Sequence, residues 1–226
     1  MKAVILAGGF GKRLRPLTDT VPKPLVQVGG KPIMEWQINW LKRYGYDSFI
    51  ITASYLPDKI VKFFESNKLG VESEIVIEQE ALGTGGALKN VEHLLKGEKE
   101  FVMVNGDNIT NLNVGEMRLG KNAASLALTQ LRSPYGIINT DGEEITSFVE
   151  KPLLKDCWIN SGVYKMTPKV FGYLPKNGSI ETETFPELAK QRLLGGIKFH
   201  ECYWHGTDTI KDVEEVTKDL SAKKIF

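Results

Sequence analysis

Leu6-Ala7-Gly8-Gly9-Phe10-Gly11-Lys12-Arg13-Leu14 threads glycines with basic residues. Arg15 follows, and then Lys23 held between Pro22 and Pro24. Glycines directly after a strand let backbone N–H groups approach a phosphate that side chains would hold away. Two familiar phosphate-binding spacings fail here. A P-loop would need Gly at Leu6 and Ser or Thr at Arg13, and a dinucleotide fingerprint would need Gly or Ala at Leu14. So dense a fixed positive charge suits a polyphosphate; a basic surface loop without a ligand is the alternative. Asp107 ends the apolar run Phe101–Val104 through Asn105-Gly106, so its carboxylate is expected to project from the carboxyl end of a strand. No Ser/His/Asp constellation stands out, and His93, His200 and His205 show no metal spacing.

The chain has 226 residues, 42% hydrophobic and 25% charged, enough for one sizeable core. A net charge of +1 gives no broad field for nucleic acid or a membrane surface. Anionic ligands must then be caught locally. Cys157 and Cys202 match neither a disulfide framework nor a zinc site, so two thiols in a reducing compartment are expected. No run of about 18 apolar residues exists, and Met1–Ala7 is too short for a signal peptide's apolar segment, which makes cytoplasm the default. The four tryptophans lack an accompanying basic stripe and read as core and pocket lining.

The positioning elements alternate in type. Strands are expected at Lys2–Ala7, Asp47–Thr52, Glu72–Ile77 and Phe101–Val104, with helices at Pro32–Tyr44, Pro57–Phe64 and Thr84–Leu95 between them. The second half predicts strands at Ala123–Leu131, Ile137–Ile145 (broken by an Asp141-Gly142 turn), Trp158–Lys165 and Ile197–Tyr203. Short helices are expected after Thr167-Pro168 and within Thr184–Leu194, and Thr209-x-x-Asp212 starts a last one through Val213–Leu220. The pattern predicts one α/β domain over 1–226: a Rossmann-like, mixed, mainly parallel sheet flanked by helices. A nucleotide-binding half spans about 1–110 and a sugar-binding half about 111–226.

The glycine-rich loop through Pro16-Leu17-Thr18, with Pro22-Lys23-Pro24, resembles the sugar-1-phosphate nucleotidyltransferases. That family includes mannose-1-phosphate guanylyltransferases and glucose-1-phosphate thymidylyl- and cytidylyltransferases. The likeness continues in order through Gly30-Lys31-Pro32-Ile33, Leu82-Gly83-Thr84-Gly85-Gly86-Ala87, Asn105-Gly106-Asp107, Glu150-Lys151-Pro152 and Asn160-Ser161-Gly162. It implies a nucleotide-diphospho-sugar transferase fold and a Mg²⁺-dependent reaction of a nucleoside triphosphate with a sugar 1-phosphate. The attacking phosphate is already mostly dianionic at neutral pH, so no general base is required. Bringing anions together and stabilising the phosphorus centre is the task.

By this resemblance Arg13 and Lys23 are the cations for the triphosphate and Asp107 a metal ligand. Many relatives carry W-x-D-I/V-G-T near the C-terminus, where this chain reads Trp204-His205-Gly206-Thr207-Asp208-Thr209; Asp208 is then assigned as second ligand, helix start being its rival role. Leu6, Ala7, Gly8, Gly9, Gly11 and Gly83 are expected to offer backbone to the nucleotide, and Gln79 or Thr84 to help read the base. Gly136, Glu150, Lys151 and Asn160 are expected to hold the sugar phosphate; Glu150 and Lys151 can share a ligand only if Pro152 ends the strand there. The resemblance favours mannose-1-phosphate guanylyl transfer first, with glucose-1-phosphate cytidylyl or thymidylyl transfer as alternatives. A non-catalytic nucleotide-sugar-binding regulator is a further alternative, motivated by the displaced Asp. No nucleic-acid or membrane partner is expected, a homo-oligomer is compatible with the sequence, and the acyltransferase repeat domain of some relatives is expected to be missing.

Overall fold

Ala3, Val4 and Ile5 of β1 (Lys2–Leu6) are fully buried, as an apolar strand covered on both faces must be. In the computed structural model, which describes residues 1–222, the chain continues through β2 (Gln27–Val28), β3 (Lys31–Pro32), α1 (Ile33–Lys42), β4 (Ser48–Ala53) and α2 (Pro57–Ser66). Next come β5 (Glu72–Ile77), α3 (Gly83–Asn90), β6 (Phe101–Asn105), β7 (Asn108–Thr110) and β8 (Ala124–Arg132). The remainder comprises β9 (Ile137–Asp141), β10 (Glu144–Val149), β11 (Leu153–Met166), α4 (Phe185–Lys190), β12 (Leu194–Lys198), β13 (Trp204–Gly206) and α5 (Ile210–Ser221).

Seven strands form the central sheet in the order β12-β8-β11-β6-β1-β4-β5. Only β11 runs against its neighbours; the β1–β4, β1–β6, β4–β5 and β8–β12 pairings are parallel. Helices cover both faces. Ala3 and Ile5 pack with Met34 and Ile38 of α1 and Ile60 of α2, whereas Val4 packs with Leu88 of α3 and Leu188 of α4. Truncating one such side chain, as in Ile5→Ala, is expected to cost about 2–5 kcal/mol.

The parallel set β5-β4-β1-β6 brings four carboxyl ends to one edge of the sheet. The glycine loop after β1, Ser54 after β4, Glu78 after β5 and Asp107 after β6 meet there, where open α/β sheets bind ligands.

Several boundaries differ from the sequence expectation. The expected strand Ile197–Tyr203 is displaced: β12 covers Leu194–Lys198, and Trp204–Gly206 pairs separately with β7. Gly195 and Gly196 conceal this strand from any apolar pattern, yet they suit it, since a Cβ at Gly196 would lie 2.9 Å from Leu128. The expected helix Thr84–Leu95 ends at Asn90, with a 3₁₀ turn at Glu92–Leu94. The expected helix Thr184–Leu194 shortens to α4, behind a π-helical turn over Ile180–Thr184. The Thr209 capping box is present: its hydroxyl accepts from the Asp212 N–H and the Asp212 carboxylate accepts from the Thr209 N–H.

Candidate active site

After β1 the chain must turn sharply to clear β4 and β6. Gly11 takes φ 59, and a Cβ there would stand 2.8 Å from the Thr18 methyl. The Thr18 hydroxyl donates to the Gly11 carbonyl at 2.8 Å, and the Tyr55 hydroxyl donates to the Thr18 carbonyl at 2.9 Å. The loop is thereby fixed in a non-repetitive shape before any ligand arrives, which lowers the ordering cost of binding.

Lys23 sits in a 3₁₀ turn between Pro22 and Pro24 and is only 8% exposed. Its Nζ donates to Asp107 Oδ2 at 2.8 Å and to Asp208 Oδ1 at 2.6 Å. Arg13 Nη2 reaches the same Asp208 oxygen at 2.9 Å. Two residues of the long connection after β1, one after β6 and one after β13 thus converge.

The two carboxylates are brought together by backbone. β13 pairs with β7 so that Gly206 faces Asn108, and the Thr207 N–H and hydroxyl both donate to the Asp107 carbonyl, at 2.9 and 2.8 Å. A Cβ at Gly206 would lie 3.8 Å from Asp208 Oδ2. The Asp208 carboxylate thus turns back toward position 206. Two carboxylate oxygens within 3 Å of one ammonium form a donor set that fits a small hard cation.

Beside this cluster a cleft of about 270 Å³ is lined by Leu6, Gly8, Gly9, Lys23, Ser54, Glu78, Gly83, Thr84, Asn105 and Asp107 among others. A contiguous pocket is lined by Gly9, Gly11, Lys12, Arg13, Lys23, Asp107 and Asp208. Ala7 is buried behind the cleft, its N–H bonded to the Thr52 carbonyl. The Thr84 hydroxyl is engaged with the turn behind it, donating to Glu181 at 2.5 Å and accepting from the Ile180 N–H.

Gln79, expected at the base, lies on the exposed surface outside the cleft. Alternation past the end of β5 turns Glu78 inward and Gln79 outward. Glu78, which sequence reasoning passed over, is 6% exposed and lines the cleft. Its position immediately after a strand of the parallel set was the available signal. Burial pushes its carboxyl above the usual range, opposed in part by the Leu82 N–H and the Thr52 hydroxyl. Asn105, also passed over, lines the cleft with a buried side-chain oxygen that makes no hydrogen bond among the described residues.

The expected sugar-phosphate residues are brought together in part: Gly136, Glu150 and Lys151 meet, whereas Asn160 lies apart on β11. β10 ends at Val149, and Lys151 adopts a left-handed φ of 46, which breaks strand alternation. Glu150 and Lys151 consequently face each other, with Nζ 3.9 Å from Oε1. A Cβ on Gly136 would stand 3.1 Å from Glu150 Oε2. Asn160 donates to the Tyr164 hydroxyl at 2.8 Å and accepts from the Gly162 N–H at 2.9 Å. None of these four lines the cleft of Lys23 and Asp107.

Residues 2–223 match the nucleotidyl transferase family. The chain belongs to that family. It is 34% identical over 174 residues to D-glycero-alpha-D-manno-heptose 1-phosphate guanylyltransferase of Campylobacter jejuni, covering 76% of this chain and 78% of that one. It is 36% identical over 225 residues to mannose-1-phosphate guanyltransferase of Yarrowia lipolytica, covering 94% of this chain and 62% of that longer relative. Among solved structures it is similar to HddC from Yersinia pseudotuberculosis complexed with GMP-PN, with a TM-score of 0.77 at 25% identity over 97% of this chain and 99% of that one. No helix among the described residues is long and apolar enough to cross a membrane.

Proposed function

We propose that this nucleotidyl transferase family member joins GTP to a manno-configured sugar 1-phosphate, mannose 1-phosphate first, giving the GDP-sugar and pyrophosphate in the cytoplasm. The observation that carries the reading is the buried Lys23 ammonium held between Asp107 and Asp208 beside a glycine-lined cleft. The guanylyltransferases among the similar proteins support the choice of base and sugar.

Gly8, Gly9 and Gly11 offer close backbone approach to the triphosphate, and Arg13 and Lys23 offset its charge. A phosphate oxygen of the sugar 1-phosphate forms a bond to the α-phosphorus while the bond from that phosphorus to the β-phosphate oxygen breaks, releasing pyrophosphate. Asp107 and Asp208 would hold Mg²⁺, which supplies positive charge to the phosphoryl oxygens. The Lys23 ammonium would offset charge on the reacting phosphate beside them. Glu150 and Lys151 are read as contacts for the sugar hydroxyls and its phosphate, with Gly136 beside them and Asn160 on β11 as a further sugar contact.

The displaced Asp motivates the regulatory reading; the Asp208 carboxylate at the Lys23 ammonium supports the catalytic one instead. Incubating the protein and Mg²⁺ with five nucleoside triphosphates and a panel of hexose and heptose 1-phosphates tests the proposal. Pyrophosphate release fastest with GTP and mannose 1-phosphate or its heptose analogue is expected. Fastest release with CTP or dTTP and glucose 1-phosphate would replace the substrate assignment, and silence throughout would reject the activity.

A further inference from the structure

Gln37 is a polar side chain on the buried face of α1, 3% exposed in a row with Met34, Ile38 and Leu41. An amide in that place needs an explanation, because methionine or leucine would fill the space without desolvating a polar group. Its two N–H bonds supply one. Nε2 donates to the backbone carbonyl of Asn105 at 2.8 Å and to the backbone carbonyl of Asn108 at 3.0 Å. Oε1 is buried and has no hydrogen-bond partner among the described residues. Turning the amide over would set that oxygen against two carbonyl oxygens, so its orientation is determined. Both donors are used while the acceptor is left unsatisfied, which marks donation as what this position supplies.

The two carbonyls flank Asp107. The chain leaves β6 at Asn105, turns through Gly106 and Asp107, and enters β7 at Asn108. The Gly106 N–H donates to the Leu6 carbonyl at 2.9 Å, and a Cβ at Gly106 would stand 2.5 Å from that same oxygen, so the turn lies close against β1. Thr207 holds the Asp107 carbonyl from the segment after β13. Gln37 adds a hold from α1 on the residue that begins the turn and the residue that ends it. Bonds at both ends restrict the backbone torsions that set the direction of the Asp107 side chain.

Resting on the reading that Asp107 holds Mg²⁺, we infer that Gln37 is a positioning residue for that carboxylate. Its two donated hydrogen bonds fix the Asn105–Asn108 turn, so that Asp107 meets the ion without first having to be ordered.

Mn²⁺ binding followed by electron paramagnetic resonance, with GTP present and sugar 1-phosphate absent, reads the metal site without turnover. Gln37→Met keeps the length of the side chain and removes both donors. Gln37→Glu keeps its shape and gives up at least one. Each should weaken Mn²⁺ binding by about 10- to 100-fold, the usual weight of a group that orients a metal ligand. In an Asp107→Asn background Gln37→Met should weaken it by less than about threefold more, because the carboxylate it positions is gone. If Gln37→Met fails to fold by circular dichroism, Gln37→Glu carries both comparisons. Wild-type Mn²⁺ affinity in a folded variant overturns the inference and leaves Gln37 a packing residue, as does the full loss repeated in the Asp107→Asn background. Absence of Mn²⁺ binding by the wild type with GTP instead removes the metal reading of Asp107, and the inference with it.

Discussion

Lys23 and Asp107, separated by 84 positions in sequence, share a 2.8 Å hydrogen bond between a buried ammonium and a carboxylate at the carboxyl edge of the sheet. Asp107 and Asp208 are the carboxylates proposed to hold Mg²⁺, so that ion would compete with the Lys23 ammonium for them. The arrangement keeps two carboxylates close together without leaving them to repel each other.

Removing that ammonium while keeping the aliphatic stem, as in Lys23→Met, is expected to lower kcat/KM by about 10²–10³-fold, the usual weight of one preorganised charge at a reacting phosphate. The same change leaves two facing carboxylates in the absence of Mg²⁺. Both are more than a third exposed, so destabilisation should be near 1 kcal/mol rather than the 3–5 of a fully buried pair. Thermal unfolding with and without Mg²⁺ checks this: the ion should raise the midpoint of Lys23→Met more than that of the wild type.

Asp107→Asn and Asp208→Asn should each raise the Mg²⁺ concentration needed for half-maximal pyrophosphate release by at least about tenfold. Position 206 offers a sharper check. A Cβ there meets nothing closer than 3.7 Å. Gly206→Asp placed in Asp208→Ala should recover part of the lost activity, and no recovery would argue that position 208 acts chiefly as a helix-start residue.

Glu78 gives a pH dependence with a definite sign. Its folded-state pKa is raised above the unfolded value by burial, so the native state holds its proton more tightly. The contribution to stability is therefore fully present below the unfolded pKa and is lost as pH rises through the folded one. Relative to the wild type, Glu78→Gln should gain stability as pH increases across that window, by differential scanning calorimetry. A constant offset at every pH would contradict the assigned cause.

Lys151→Gln tests the expected sugar-phosphate residues. KM for the sugar 1-phosphate should rise by about 10- to 100-fold while GTP affinity is unchanged, since Lys151 lines neither pocket around Lys23. Equal losses for both substrates would place its effect in folding.

The sheet and the Lys23 end of the cleft were legible because their signals are local. An apolar run stopped by Gly8 and Gly9 marks β1, and a similar run through Phe101–Asn105 places Asp107. Lys23 between prolines reads as a fixed cation, and it is one. The Glu78 end was less legible because burial depends on partners. Glu78 and Gln79 are adjacent and polar, and only the pairing of β5 with β4 decides which faces inward. Pairing also hid β12, whose glycines carry no hydrophobic pattern but lie against β8. Asp208 is assigned by likeness two residues from the usual position; the β7–β13 pairing brings it to the same Lys23 ammonium that Asp107 binds.

Phosphorus NMR of the wild type and Lys23→Met, each mixed with GTP, mannose 1-phosphate and Mg²⁺, reads the central claim most directly. The wild type should convert the triphosphate signals into those of a GDP-sugar and pyrophosphate, while Lys23→Met, folded and bound to GTP, should leave them almost unchanged. Turnover by Lys23→Met at the wild-type rate would contradict the role given to the lysine between two carboxylates.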